Sequence, residues 1–246
     1  MKASPFEGSS GPLLGVWAHP DDEAFLSAGL MAKAVEAGRR VVVVTATRGE
    51  HGTADAATWP PDRLGRLRSR ELMASLAALG VTEHRWLGYV DGTCDEVPIG
   101  EGANLVADII DEVQPETIVT FGPDGMTGHP DHKSVSRWTD EAIRATSSRA
   151  DLLHATISRD FLVRFEDLHE RFNVFFAGPP PWTPPDRLAL EMELDQEIQD
   201  AKLAALRAQA SQTAGMVSEI GEDAFRAWWS VEWFADGRSQ AARRAA

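Results

Sequence analysis

Cysteine is nearly absent from the 246-residue chain, where Cys94 stands alone. No intrachain disulfide can hold the fold, and a reducing compartment is expected. Positive charge is scarce as well: 24 Lys and Arg face 38 Asp and Glu, for a formal net charge of −14. That balance disfavours a phosphate backbone or an anionic membrane as the main partner, so no nucleic acid partner is expected. No apolar run approaches the roughly eighteen residues that a membrane span requires. Met1 to Pro12 is polar and rich in Gly and Ser, without the basic and apolar regions of a signal peptide, which points to a cytoplasmic protein. A dinucleotide-binding Gly-x-Gly-x-x-Gly is missing too, because the turn after the first apolar run carries acidic residues instead. Cys94 lies beyond the polar Asp91-Gly92-Thr93 loop with no neighbouring His and reads as an incidental thiol.

What the chain does contain is a β-α repetition. Leu13 to Ala18, Val41 to Thr47, His84 to Leu87, Thr117 to Phe121 and Leu152 to Ser158 read as strands. Ala24 to Gly38, Arg63 to Leu79, Ala103 to Val113 and His132 to Ala145 carry apolar residues at helical spacing. The alternation predicts the α/β class: a Rossmann-like, doubly wound, mostly parallel sheet with helices on both faces. One domain is expected over 1–246, with 1–11 and 236–246 as flexible ends. Farther on, Leu188 to Gln212 reads as one long helix and Ala224 to Phe234 as a final aromatic-rich helix.

Two His-Pro-Asp turns carry the chemistry. His19-Pro20-Asp21-Asp22-Glu23 follows the first strand, and His129-Pro130-Asp131-His132 follows the fourth. In the order 3-2-1-4-5 those strands are neighbours at the point where the winding reverses, and ligands bind beyond the carboxyl ends of the strands there. Imidazole and carboxylate suit Zn²⁺ or another divalent ion such as Fe²⁺, and a catalytic site needs about three protein ligands. His19, Asp22 and His132 are the expected metal ligands. Asp21, beside a ligand without being one, fits a general base that accepts the proton of the attacking water. His129 can protonate a leaving amine or steady an oxyanion, and Asp131 can orient its ring through the second nitrogen. Glu23 reads as a helix-start carboxylate that complements the dipole.

Ala18 through Glu23 together with Gly128-His129-Pro130-Asp131-His132 resembles the paired signature of the PIG-L/LmbE-like zinc N-deacetylases. Arg48-Gly49-Glu50 with Gly52, Arg68 with Glu71, and Leu87-Gly88-Tyr89 with Asp91 resemble further segments of that family. The resemblance implies a zinc-dependent deacetylase acting on a small-molecule N-acylated amino sugar or glycoconjugate, with Arg68 and Asp91 as sugar contacts. Two positions depart from the pattern. Thr127 stands where a family subset has tyrosine, and Gln209 stands where histidine is common. Most of the tryptophans read as core or rim packing, and Trp59, in the loop before the second helix, is the one to test for stacking on a sugar.

Two other classes are weighed. A phosphoesterase on the same fold would need a cluster of Lys, Arg or glycine amides, whereas the loops at these turns are acidic. A non-catalytic metal- or sugar-binding protein would have little use for Asp21 beside a complete ligand set. Oligomeric state stays open.

Overall fold

The computed structural model describes residues 10–238. Within them lie seven strands: β1 (Leu13–Trp17), β2 (Val41–Thr45), β3 (Glu83–Trp86), β4 (Thr117–Phe121), β5 (Asp151–Thr156), β6 (Leu188–Glu193) and β7 (Val231–Asp236). They form one sheet in the order β3-β2-β1-β4-β5-β7-β6. The first five strands pair in parallel, with Leu13 opposite both Val41 and Thr117. β7 then runs antiparallel to both β5 and β6. Val41 to Val44 are buried throughout, as expected of a β-branched strand covered on both faces.

The helices follow the expected winding. α1 (Asp22–Glu36) and α2 (Pro61–Ala78) pack against α7 (Gln196–Ala208), while α3 (Ile99–Val113) packs on α4 (Pro130–Thr146). Short helices α5 (Arg159–Arg164) and α6 (Glu166–Arg171) come before β6, and α8 (Ala210–Ile220) and α9 (Glu222–Trp228) come after α7. No helix among the described residues is long and apolar enough to cross a membrane. Most of the expected flexible ends, 1–9 and 239–246, lie outside the described residues. At their inner limits Gly11 donates to Glu116 Oε2 at 2.6 Å, and Arg238 donates to the carbonyls of Ser148 and Ala150.

The expected long helix over Leu188 to Gln212 is instead strand β6 followed by α7 and α8, and the expected aromatic helix over Ala224 to Phe234 is α9 followed by β7. Leu188 and Leu190 are buried while Ala189 and Glu191 are exposed. That alternation has the period of a strand with one covered face. Pairing with β7 therefore prevails over the helix propensity of Leu, Ala, Glu and Met.

A buried ion pair fastens α1 to these late elements. Lys202 Nζ lies 2.7 Å from Glu232 Oε1 and also donates to the Phe25 carbonyl in α1. The Glu232 carboxylate accepts the main-chain N–H groups of Gly29 and Leu30 at 2.8 and 2.9 Å. A Cβ at residue 29 would overlap the Leu194 side chain, so glycine permits this approach. Lys202→Met leaves Glu232 buried without its cation and is expected to cost about 3 kcal/mol in urea denaturation. A loss below about 1 kcal/mol would mean that the two amide donors suffice for the carboxylate.

Candidate active site

Both His-Pro-Asp turns leave the carboxyl ends of adjacent strands. β1 ends at Trp17 and the chain enters α1 at Asp22, whose Oδ2 accepts the N–H groups of Ala18 and His19 at 3.2 and 2.7 Å. The carboxylate is thereby folded back over the turn, leaving Oδ1 to face the second loop. There His129 caps α4 and Pro130 begins it, a position that suits proline's fixed φ and missing N–H. His132 falls in the first turn of α4, buried, with its ring stacked on Phe121 at 4.1 Å between centroids and 10° between planes.

Four atoms of three residues meet between the turns. His19 Nδ1 is 3.1 Å from His132 Nε2, His132 Nε2 is 3.3 Å from Asp22 Oδ1, and His19 Nδ1 is 3.6 Å from Asp22 Oδ2. A tetrahedral ion with bonds of about 2.0–2.1 Å sets its ligands about 3.3–3.4 Å apart. The outer nitrogens agree with such use. His132 Nδ1 lies 2.8 Å from the Gly125 carbonyl, which can only accept, so that nitrogen carries the proton and Nε2 turns a lone pair inward. His19 Nε2 lies 3.0 Å from Asp91 Oδ1 and 3.1 Å from Asp131 Oδ2, so it too is protonated on its outer side. Imidazoles backed by a carbonyl and by carboxylates are the usual support of metal-binding histidines, and these residues fit a divalent cation.

Carboxylates outnumber cations here. Burial alone would lower the proton affinity of His19, yet Asp131, Asp91 and Asp22 together raise its pKa to about 10. His19, Asp91 and Asp131 form a second donor group, overlapping one made of His19, His129 and His132. The two aspartates sit on the far side of the His19 ring. Asp131 also accepts the N–H groups of Gly92 and Cys94, and Asp91 accepts that of His51, which suits outer support better than ligation. For Asp91, burial is outweighed by the bond to His19, which keeps the carboxyl well below the usual range.

Asp21 lies between the two α1 carboxylates and Arg68. Its backbone is left-handed, φ 106 and ψ −29, a conformation that costs on the order of 1–3 kcal/mol outside glycine and that Asp tolerates better than most. Its side chain keeps 16 % of its surface accessible. Burial raises the carboxyl to about 7, with Arg68 opposing the rise and Asp22 adding to it. Arg68 itself is buried, donates to the carbonyls of Gly49 and Pro20, and lies 3.2 Å from Asp21 Oδ2. Gly49, at φ 60, has no room for a Cβ beside that guanidinium.

Arg68 and Asp91, expected as sugar contacts, thus both turn polar atoms to the loops around His19 and Asp21, Arg68 through its two terminal nitrogens. Since the Arg68 charge lowers the Asp21 pKa, Arg68→Met is expected to raise it and move the acid limb of kcat/KM to higher pH, while Arg68→Lys moves it less. An unmoved limb in Arg68→Met would separate this charge from Asp21.

The second loop corrects one expected contact. The Asp131 carboxylate faces His19, and it is the Asp131 main-chain N–H that reaches His129, donating to Nδ1 at 3.1 Å. The helix N-terminus needs an acceptor there, and the ring supplies it. A neutral His129 therefore carries its proton on Nε2. Burial first, and the nearby His19, lower its pKa. Thr127, in the tyrosine position, places its Oγ1 3.1 Å from His132 Nδ1. Trp59 is covered by the Arg63 guanidinium at 4.4 Å rather than presenting a free face on that side.

Sequence reasoning missed the depth of Glu23. It is fully buried; one oxygen accepts the Asp21 N–H at 3.0 Å, and the other accepts from Ser75 Oγ at 3.3 Å and Gln209 Nε2 at 3.0 Å. Burial, then the neighbouring Asp21, raises its carboxyl to about 8. Next to it, Ser211 donates through both N–H and hydroxyl to Glu71. The run from Gln209 to Ser211 so closes the back of the site.

Several known proteins are similar to this chain. The family model described as "PIG-L: GlcNAc-PI de-N-acetylase" matches residues 14–143. A protein of Mycobacterium sp. (strain KMS), named 1D-myo-inositol 2-acetamido-2-deoxy-alpha-D-glucopyranoside deacetylase, is 35 % identical over 227 residues, 81 % of this chain and 73 % of the relative. A protein of the same name from Actinosynnema mirum is 36 % identical over 231 residues, covering 81 % and 80 %. Among solved structures, the N,N'-diacetylchitobiose deacetylase of Pyrococcus horikoshii superposes with a TM-score of 0.66 at 22 % identity, covering 94 % of this chain and 85 % of that one. At that identity the match speaks for the fold alone.

Proposed function

The chain belongs to the PIG-L family of GlcNAc-PI de-N-acetylases, and from that premise we propose that it hydrolyses the amide of an N-acetylated amino sugar or its conjugate. The observation that carries this reading is the meeting of His19, Asp22 and His132, whose two ring nitrogens lie 3.1 Å apart and each within 3.6 Å of an Asp22 oxygen, with the His129 ring beside them. His19, Asp22 and His132 would hold a divalent ion, for which Zn²⁺ is the first choice given two imidazoles and one carboxylate. When bound, such an ion supplies Lewis acidity that acidifies water and polarises an acyl oxygen.

The chain's own residues supply the proton transfers. Asp21 takes one proton from water as the oxygen forms its bond to the acyl carbon. His129, with its proton on Nε2, steadies the developing oxyanion, and the Asp21 carboxyl then passes the proton it has taken to the nitrogen as the carbon–nitrogen bond breaks. Water and amide thereby become a carboxylic acid and an amine. Asp91 and Asp131 keep the outer His19 nitrogen protonated, and Thr127 braces His132 where a tyrosine would reach toward the acyl group. Arg68, placed against Asp21, tunes the base and borders the space a sugar would enter.

Amino-sugar conjugates follow from the relatives' names, and the −14 charge suits a small neutral substrate better than a polyanion. The test is amine release from a panel of N-acetylglucosamine, N-acetylglucosaminyl-inositol, diacetylchitobiose and an acyclic N-acetyl amine, using Zn²⁺-loaded protein. Turnover of a sugar conjugate above the acyclic amine is expected. Equal, trace rates on all four would defeat the reading.

A further inference from the structure

We propose that Glu23 is a positioning residue for the base: its carboxylate, held from behind by Ser75 and Gln209, anchors the Asp21 main-chain N–H and fixes the left-handed turn that aims the Asp21 carboxyl. The inference rests on the assignment of Asp21 made above. Three observations carry it.

The first is conformational. With φ at 106, Asp21 lies outside the broad helical and extended regions, and such a conformation persists only when its surroundings over-determine it. Its N–H donates to Glu23 Oε2 at 3.0 Å, two residues ahead.

The second is burial. Glu23 has no accessible surface, whereas a carboxylate that merely complements a helix dipole works equally well in water. Burying a carboxyl is unfavourable unless hydrogen bonds satisfy it, and here three donors do so, one from each of three chain segments.

The third is the origin of the rear donors. Ser75 comes from α2, which also bears Arg68, and Gln209 stands at the junction of α7 and α8. Glu23 Oε1 is therefore fixed by the scaffold, and Oε2, on the same planar group, transmits that position to residue 21. The Gln209 amide adds a specific property. Its Oε1 is buried without a partner, so the amide can turn over and offer that oxygen instead of its Nε2. A glutamine at residue 23 could then keep an oxygen on the Asp21 N–H while donating its own amide to Gln209.

The test compares Glu23→Met, Glu23→Gln and Asp21→Asn in the full-length, metal-loaded protein. Glu23→Met fills similar volume without an acceptor. It is expected to retain the metal and KM but lose about 10² in kcat, the scale of a misaimed catalytic group. Glu23→Gln is expected to stay within about ten-fold of wild type. Amide hydrogen exchange at Asp21, read by NMR, is expected to be slow in wild type and Glu23→Gln and fast in Glu23→Met. That readout is independent of turnover, and a purely structural role would not confine the change to residue 21.

Should Glu23→Met not fold, the double variant Ser75→Ala/Gln209→Met removes both rear donors while leaving Glu23, and about a ten-fold loss in kcat at unchanged KM is expected. The proposal is overturned if the foldable variant of the two keeps wild-type kcat, if exchange at Asp21 does not respond, or if Glu23→Gln is as impaired as Glu23→Met. An Asp21→Asn enzyme that remained active would instead defeat the assignment of the base, which separates the two failures.

Discussion

Alanine at His132 is expected to abolish metal retention and turnover together, and Asp22→Ala to do the same. Metal analysis of purified wild type is expected to find about one divalent ion per chain, from a site with three protein ligands. Removing one of three donors leaves a pair that holds an ion far less tightly. In His132→Ala the His19 ring, still held by Asp91 and Asp131, has only Asp22 left as a partner donor, and in Asp22→Ala two imidazoles remain with no carboxylate between them. Full occupancy in both variants would move the site elsewhere. The same balance fixes a pH dependence. Protons compete with the ion for His19, whose pKa without a cation is about 10, so retention is expected to fall as pH falls and to release no further metal as pH rises.

Asp21→Asn is expected to keep the metal and lose about 10³ in kcat, within the range attributed to a general base. Asparagine is the informative replacement because it shares aspartate's tolerance of positive φ, so the turn at residue 21 is retained and only proton acceptance is lost. Its amide can still face Arg68 through the oxygen. A small decrease, two- to three-fold in steady-state kcat at saturating metal, would leave Asp21 a structural role only. Retained metal together with lost turnover would instead place ligation and proton transfer on adjacent residues of one turn.

The parallel half of the fold was legible because its signals are local. Val41 to Val44 can be little else than a covered strand, and Gly38 and Gly80 end helices at the positive φ that glycine permits. Strand order then placed His19 beside His132 across 113 residues. The late segment was less legible, because β6 is composed of helix-favouring residues and becomes a strand only through a partner some forty residues on. Glu23 does stand in the first turn of α1, as read, but its burial was hidden for the same reason: Ser75 and Gln209 lie 52 and 186 residues away, and no spacing in that turn announces them. Asp131 shows a finer limit. Its sequence position suggested a side chain serving His129, but a helix N-terminus turns the main-chain N–H that way and leaves the carboxylate free for the opposite loop.

The Glu232–Lys202 clasp on α1 has a bearing on the order in which the protein is made. A nascent chain emerging from the ribosome has all three donor side chains once residue 132 is out, and the five parallel strands soon after. Gly29 and Leu30 nevertheless wait for Glu232 to receive their N–H groups, and Glu23 waits for Gln209. The helix whose first turn presents Asp22 is therefore unclasped until residue 232 has emerged. Ion capture is accordingly expected to strengthen only when β7 takes its place in the sheet.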